Sequence, residues 1–248
     1  MNRKLWERKS FESDFFGNYI CPRCFTGTLI KRDKISKITA TGIDSEKHGY
    51  PYGIEHLFSG ILECNNQECK DVVSLNGILR TDISHGYEQP DGQWVEVKFN
   101  DYEPKFFLPN LRMFDIRNKN IPKEIRNQVD SAFSQYFLDE TICANKIRTA
   151  IELILDHLKA PKRKLNKSKK LVRLRTLHDR IENYKKTKPQ VCKLLLALKI
   201  IGNEGSHTSI VKNEDILDAF EILEQILDDL FIKNRKRIIS LADKIITK

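Results

Sequence analysis

Apolar positions along this chain change their period once, near the middle. Over residues 25–107 they read as strands separated by turns. Trp94-Val95-Glu96-Val97-Lys98-Phe99 alternates apolar with polar, the two-residue period of a half-buried strand. Residues 35–41 are β-branched and end at Gly42, and residues 54–63 and 72–80 form two more runs. His48-Gly49, Asn76-Gly77 and Pro90-Asp91-Gly92 supply turn signals. Together they predict a small, mainly antiparallel sheet.

Residues 104–122 carry Pro104, Pro109 and Pro122 and read as a linker that packs on both halves through Phe106, Phe107 and Phe114. After it the period becomes helical. Pro122 suits a first turn, where its missing N–H is no loss. Ile125, Val129, Ala132, Phe133 and Tyr136 then recur at spacings of three and four. Further helices are predicted over 141–159, 171–184, and 189–201 with a stop at Gly202. The last begins near Asn213, with Asp215 favourable to its dipole and Ile216, Phe220, Leu223, Leu227 and Leu230 on one stripe. The apolar pattern resumes over 238–246, as a continuation or as a separate helix. No internal repeat is visible.

Four cysteines change this picture most. They form two close pairs, Cys21-Pro22-Arg23-Cys24 and Cys64-Asn65-Asn66-Gln67-Glu68-Cys69. Two thiolate pairs brought together make a tetrahedral site that suits Zn2+. Such a closed site would be structural, because no position is left for water or substrate. Disulfides and unpaired core thiols are the other readings. The first residues, Met1-Asn2-Arg3-Lys4-Leu5-Trp6-Glu7-Arg8-Lys9, have no apolar signal core, so a cytoplasmic, reducing setting is expected, which favours metal. Cys143 and Cys192 fall in helical patterns and read as small buried apolar residues. His48, His56 and His85 could replace a cysteine ligand, but with four cysteines present they read as turn or surface residues, and His157 and His178 read as helix residues with no ligand partner at the right spacing.

The chain has 248 residues, 43 Lys and Arg against 34 Asp and Glu, and a net charge of +9. A 40% hydrophobic fraction allows real cores, and no apolar run approaches the roughly 18 residues that would span a bilayer. The basic balance favours a polyanionic partner. Its densest part is Pro161-Lys162-Arg163-Lys164-Leu165-Asn166-Lys167-Ser168-Lys169-Lys170, continued by Arg173 and Arg175. These cations are candidate contacts to the backbone of RNA or DNA. The competing reading is a solvated loop between helices. There is no Gly-rich phosphate loop and no carboxylate cluster for magnesium, which argues against a P-loop enzyme or a metal-dependent nuclease.

Three helical segments carry a family resemblance. Ala144-Asn145-Lys146-Ile147-Arg148-Thr149-Ala150-Ile151-Glu152 is one, Leu177-His178-Asp179-Arg180-Ile181 another, and Leu198-Lys199-Ile200-Ile201-Gly202-Asn203-Glu204-Gly205-Ser206-His207 the third. With the cysteine pairs ahead of them, they resemble the bacterial domain-of-unknown-function family 4145, placed with the HEPN superfamily of helical bundles. The resemblance implies a setting in genome (anti-phage) defence, and ribonucleases of that superfamily use an Arg-Asn-x-x-x-His element across a dimer. Here Asn203 and His207 match, Gly202 stands where the arginine belongs, and Lys199 is the nearest upstream cation. His207, Asn203 and Lys199 are therefore candidate catalytic residues for metal-independent RNA cleavage. A structural role, with Gly202-Asn203 as a helix C-cap, is the alternative. Arg148 and Glu152, four apart, read either as an internal polar network or as a surface pair.

The expected fold is α+β: an N-terminal zinc-ribbon-like antiparallel β domain over 1–115, then an all-α HEPN-like helical bundle over 116–248 with a basic loop at 161–170. The expected function is a binding and assembly module of genome defence that contacts nucleic acid. A HEPN-type ribonuclease and a purely protein-interacting subunit are the alternatives. The α-helical stripe that begins at Ile216, and the pairing habit of the resembled superfamily, suggest a homodimer. A protein partner encoded nearby is also expected.

Overall fold

The structure, a computed structural model, describes residues 1–12, 18–48, 54–166, 168–204, 211–232 and 242–246. The chain divides into two compact units, Asn2–Arg112 and Met113–Lys248, the latter grouped with Met1.

In the first unit, β-branched and aromatic residues build a four-stranded antiparallel meander. Its strands are β1 (Leu29–Ile38), β2 (Ile54–Cys64), β3 (Val72–Glu88) and β4 (Trp94–Leu108), in that spatial order. Successive side chains point to opposite faces. Along β2, Phe58, Gly60, Leu62 and Cys64 are buried while Leu57, Ser59 and Ile61 are exposed. Phe58 meets Tyr102 edge to face at 5.5 Å, and Leu75 and Leu79 complete the buried side. Past Thr81, the one strand paired with β3 among the described residues is β4, and 82–88 run on against 94–99. Its turn closes with the Gln89 N–H donating to the Gln93 carbonyl at 2.8 Å and Gly92 at φ +80.

Three sequence expectations need correction here. Residues 40–41 are not strand but the start of helix α1 (Ala40–Lys47), whose N-cap Thr39 hydroxyl accepts from the Gly42 N–H at 3.1 Å. Asn76-Gly77 is not a turn. It lies inside β3 at a register shift, where a Cβ on Gly77 would stand 2.3 Å from the Glu103 carbonyl and 2.7 Å from the Phe58 ring. The glycine answers a close backbone approach rather than a chain reversal. Residues 104–108 are not linker: β4 runs through Pro104, which an edge strand tolerates because its missing N–H breaks no ladder.

The second unit holds α2 (Lys123–Gln135), α3 (Glu140–His157), α4 (Leu177–Tyr184), α5 (Pro189–Glu204) and α6 (Asn213–Leu227), the last running into a π turn over Asp228–Ile232. Pro122 precedes α2 as its N-cap, and the Asp139 carboxylate caps α3 by accepting from the Ile142 N–H at 2.8 Å. Ile125, Val129, Ile147, Ile151, Ile154 and Phe220 form the core. The Phe133 ring stands 5.1 Å from both Phe114 and Phe220. Ile216, Phe220, Leu223 and Leu227 are buried inside this unit. The stripe that suggested a homodimer is therefore largely covered by the protomer's own core.

Between α3 and α4 the expected basic loop is a hairpin, β5 (Arg163–Leu165) against β6 (Leu171–Arg173). The helix expected over 171–184 starts only at Leu177, after a capping box between Thr176 and Asp179. Helix α5 does not stop at Gly202 but continues to Glu204. Residues 242–246 are helical, while 233–241, where the pattern allowed one helix or two, lie outside the described residues.

Candidate metal centre and basic surface

The two cysteine pairs sit on two knuckles of the first unit. The first leaves the Ile20–Thr28 bridge and returns into β1, with the Cys21 N–H donating to the Gly27 carbonyl at 2.9 Å. The second joins β2 to β3, with the Cys64 N–H donating to the Asp71 carbonyl at 2.8 Å. Both knuckles make one and the same turn. The Phe25 N–H donates to the Cys21 carbonyl at 3.0 Å, and the Lys70 N–H to the Asn66 carbonyl at 3.1 Å. Phe25 and Lys70 each follow a cysteine directly and are left-handed, at φ 58 and φ 50. Asn66-Gln67-Glu68-Cys69 thus repeats the backbone of Cys21-Pro22-Arg23-Cys24, with Asn66 where the first cysteine stood. Cys64 supplies the missing thiol from the end of β2, two residues earlier. That explains how a pair with four intervening residues closes a site usually built from two.

All four Sγ atoms lie within 4.8 Å of one another. Cys21 and Cys69 are 3.8 Å apart and Cys24 and Cys64 3.7 Å, with every cysteine free. A regular tetrahedron of thiolates around a metal at about 2.3 Å has sulfur–sulfur edges of about 3.8 Å. The donor set could hold a metal ion. Gly27 makes the space: a Cβ there would stand 2.5 Å from the Cys64 Sγ. The thiols are not equivalent. Hydrogen bonding from the Thr26 hydroxyl, helped against burial by the Gly27 and Thr26 N–H groups, lowers Cys24 to about 5. Burial pushes Cys64 up to about 12 and also raises Cys21.

The positive charge is segregated. Residues 2–112 hold 15 Lys and Arg against 16 Asp and Glu, whereas residues 113–248 hold 28 against 18. Within the second unit, the 35 residues 159–193 carry 14 cations and only Asp179 and Glu182 as acids. Lys162, Arg163, Lys164, Lys169, Lys170, Arg173 and Arg175 are all exposed on or beside the hairpin, and Lys167 lies outside the described residues. At the hairpin's base, the Asp156 carboxylate of α3 receives Lys162 at 3.0 Å and Arg180 of α4 at 2.5 Å. Arg180 also donates to the Ala160 carbonyl at 3.1 Å. Burial alone would raise the Asp156 carboxyl, but hydrogen bonds from Lys162 and Arg180 outweigh it and hold the group below its ordinary value. Among the described residues, Arg163, Arg173 and Arg175 form no ion pair.

The other candidates are spread over α3 and α5. Glu152 is exposed and lines a cleft of about 270 Å³ with Asp156, Arg173, Arg175 and Arg180. Arg148 is half-buried beneath Gly202, where an added Cβ would stand 3.1 Å from the Arg148 Cβ and 3.5 Å from the Ala144 carbonyl. Gly202 therefore serves the approach of α5 to α3, not a C-cap. Lys199 is half-buried one turn before Asn203 on α5; the Asn203 side chain and His207 lie outside the described residues. Cys143 and Cys192 are fully buried, the Cys143 thiol donating to the Ala132 carbonyl at 3.3 Å. Sequence reasoning missed Gly27 and the Asn66 turn, though a glycine three residues after Cys24 was a readable sign of close approach.

Comparison with known proteins divides the chain in the same place. Residues 130–247 match the family model of a domain of unknown function, DUF4145, and residues 9–107 match that of a second domain of unknown function, DUF8608. The first match supports the resemblance carried by the helical segments. No curated protein and no solved structure matches. No described helix is long and apolar enough to cross a membrane.

Proposed function

We propose that this chain is a nucleic-acid-binding module of bacterial genome defence, in which a zinc-ribbon-like unit is held by one structural Zn2+ and a HEPN-like helical unit makes the contact. The observation that carries the reading is the charge segregation: fourteen cations against two acids over 159–193, with Arg163 and Arg173 of the hairpin making no ion pair among the described residues. An exposed row of unneutralised cations is repelled by itself and is stabilised by a polyanion that releases its counterions. Zinc is the metal whose tetrahedral preference and affinity for thiolates suit the four sulfurs. The defence setting rests on the family resemblance. Binding here is the function, not cleavage, because Gly202 occupies the arginine position of the ribonuclease element and packs on α3.

Fluorescence anisotropy with labelled single-stranded and duplex oligonucleotides, from about 50 to 200 mM salt, tests the reading. Sequence-tolerant binding that weakens steeply with salt is expected. Changing Lys162, Arg163, Lys164 and Lys167 to Ser flattens that slope by about 0.7 per lost contact on a single strand or about 0.9 on a duplex. Absence of binding by the unaltered protein at low salt would remove the nucleic-acid reading.

A further inference from the structure

The hairpin breaks two local rules on one and the same face. Arg163 stands directly opposite Arg173, and Leu165 directly opposite Leu171. Directly opposed residues of an antiparallel pair share a face, as do residues two apart along a strand. One face therefore presents an Arg–Arg pair and, next to it, a Leu–Leu pair, while Lys164 and Val172 take the other. Like charges opposed across strands destabilise a hairpin. Leu165 and Leu171 are 66% and 61% exposed, beside a turn of cations. Where the strands end, the Asn166 carboxamide accepts from the Lys170 N–H at 2.9 Å, and Lys169 takes the left-handed position at φ 55. The ribbon is thus formed, and its odd face is not a result of poor local structure.

We propose that this face grips nucleic acid whose bases are unstacked, the arginine pair on phosphates and the leucine pair on exposed base faces. The inference rests on the nucleic-acid reading above and narrows it to single-stranded or opened substrate. In an intact duplex the base faces are covered by stacking, and the grooves show polar edges. In single strands the faces are open to apolar side chains. Charge decides against a second copy of this chain as the occupant, since a twofold contact through this face would bring two arginine pairs, four like charges, into one small interface. Two leucines are also a small apolar area for holding to a lipid surface.

The test is binding of a single-stranded oligonucleotide and of its blunt duplex to the full chain, to Leu165→Ser/Leu171→Ser and to Arg163→Ser/Arg173→Ser, each checked by circular dichroism. The unaltered chain should prefer the single strand. The leucine variant should lose that preference, by about tenfold in affinity for the strand, with its salt slope unchanged. The arginine variant should lower the slope by about 1.4 on the single strand. A leucine variant that keeps the preference, or an unaltered chain that has none, overturns the inference and leaves charge-driven binding standing. No binding to either oligonucleotide sinks both readings. Leucine-dependent binding to phosphatidylserine vesicles without oligonucleotide binding makes the face a membrane contact and overturns it too.

Discussion

At the scale of single residues, two glycines separate space from conformation. Gly27 is needed because Cys64 stands where its Cβ would be, 2.5 Å away. At Gly92 an added Cβ would meet only the Glu88 Oε1, at an ordinary 3.9 Å, among the described residues, and the glycine is needed for its φ of +80. Gly27→Ala should therefore speed metal release to a chromogenic chelator. Gly92→Ala should leave release unchanged and lower stability by about 1 kcal/mol, the strain of a left-handed L-residue. Equal release rates for the two variants would show that Gly27 does not shape the metal pocket. The four cysteines were legible in the sequence because metal ligation has a spacing code. Gly202 was misread because a glycine at the end of an apolar run looks like a cap, and only the approach of α3 shows its use. Cys143→Ser and Cys192→Ser should leave metal content unaltered, since both thiols lie in the helical unit's core.

At the scale of elements, the strands and long helices were legible where burial repeats with one period. β2, α2, α3 and α6 each carry one clean face. The elements that escaped are those set by polar chemistry or by pairing across distance. Helix α1 rests on the Thr39 cap amid residues of strand preference, and the hairpin looked like solvated loop because nothing in it alternates. What fixes the hairpin's base is Asp156, which binds Lys162 and Arg180 and has a lowered pKa. A lowered carboxyl contributes stability that is complete above the unfolded value near about 3.9 and is lost as pH falls through the folded one. Asp156 is 43% exposed, so solvent limits the effect. Asp156→Asn should lower stability by under about 1 kcal/mol at neutral pH, and urea midpoints of the two proteins should converge as the pH falls below the ordinary aspartate range. The same change frees two cations and should tighten polyanion binding. A deficit that persists unchanged in acid would mean that packing, not the carboxylate, is what the variant loses.

At the scale of the whole molecule, the candidate metal site and the basic surface fall in different units, and so do the optical probes. Both tryptophans, Trp6 and Trp94, lie in the sheet unit, while most helix lies in the other. Trp6 is buried at 3% exposure with its ring 5.0 Å from Tyr19, two residues before Cys21. Trp94 is 66% exposed and contributes little change on unfolding. Tryptophan emission therefore reports the surroundings of the first knuckle, and far-ultraviolet circular dichroism reports the helical bundle. Structural zinc supplies folding free energy outright, about 10–16 kcal/mol in small zinc domains. The sheet here has its own apolar side in Phe58, Leu62, Leu75 and Tyr102, so losing the ion should weaken it rather than abolish it. Chelation, or Cys24→Ser with Cys69→Ser, is expected to lower the thermal transition seen by tryptophan by many degrees. The transition seen by circular dichroism should hardly move, because the bundle core of Ile125, Ile151 and Phe220 contains no ligand. A tryptophan transition indifferent to chelator would refute a structural metal. If both transitions fell together, the metal would have to stabilise the two units jointly.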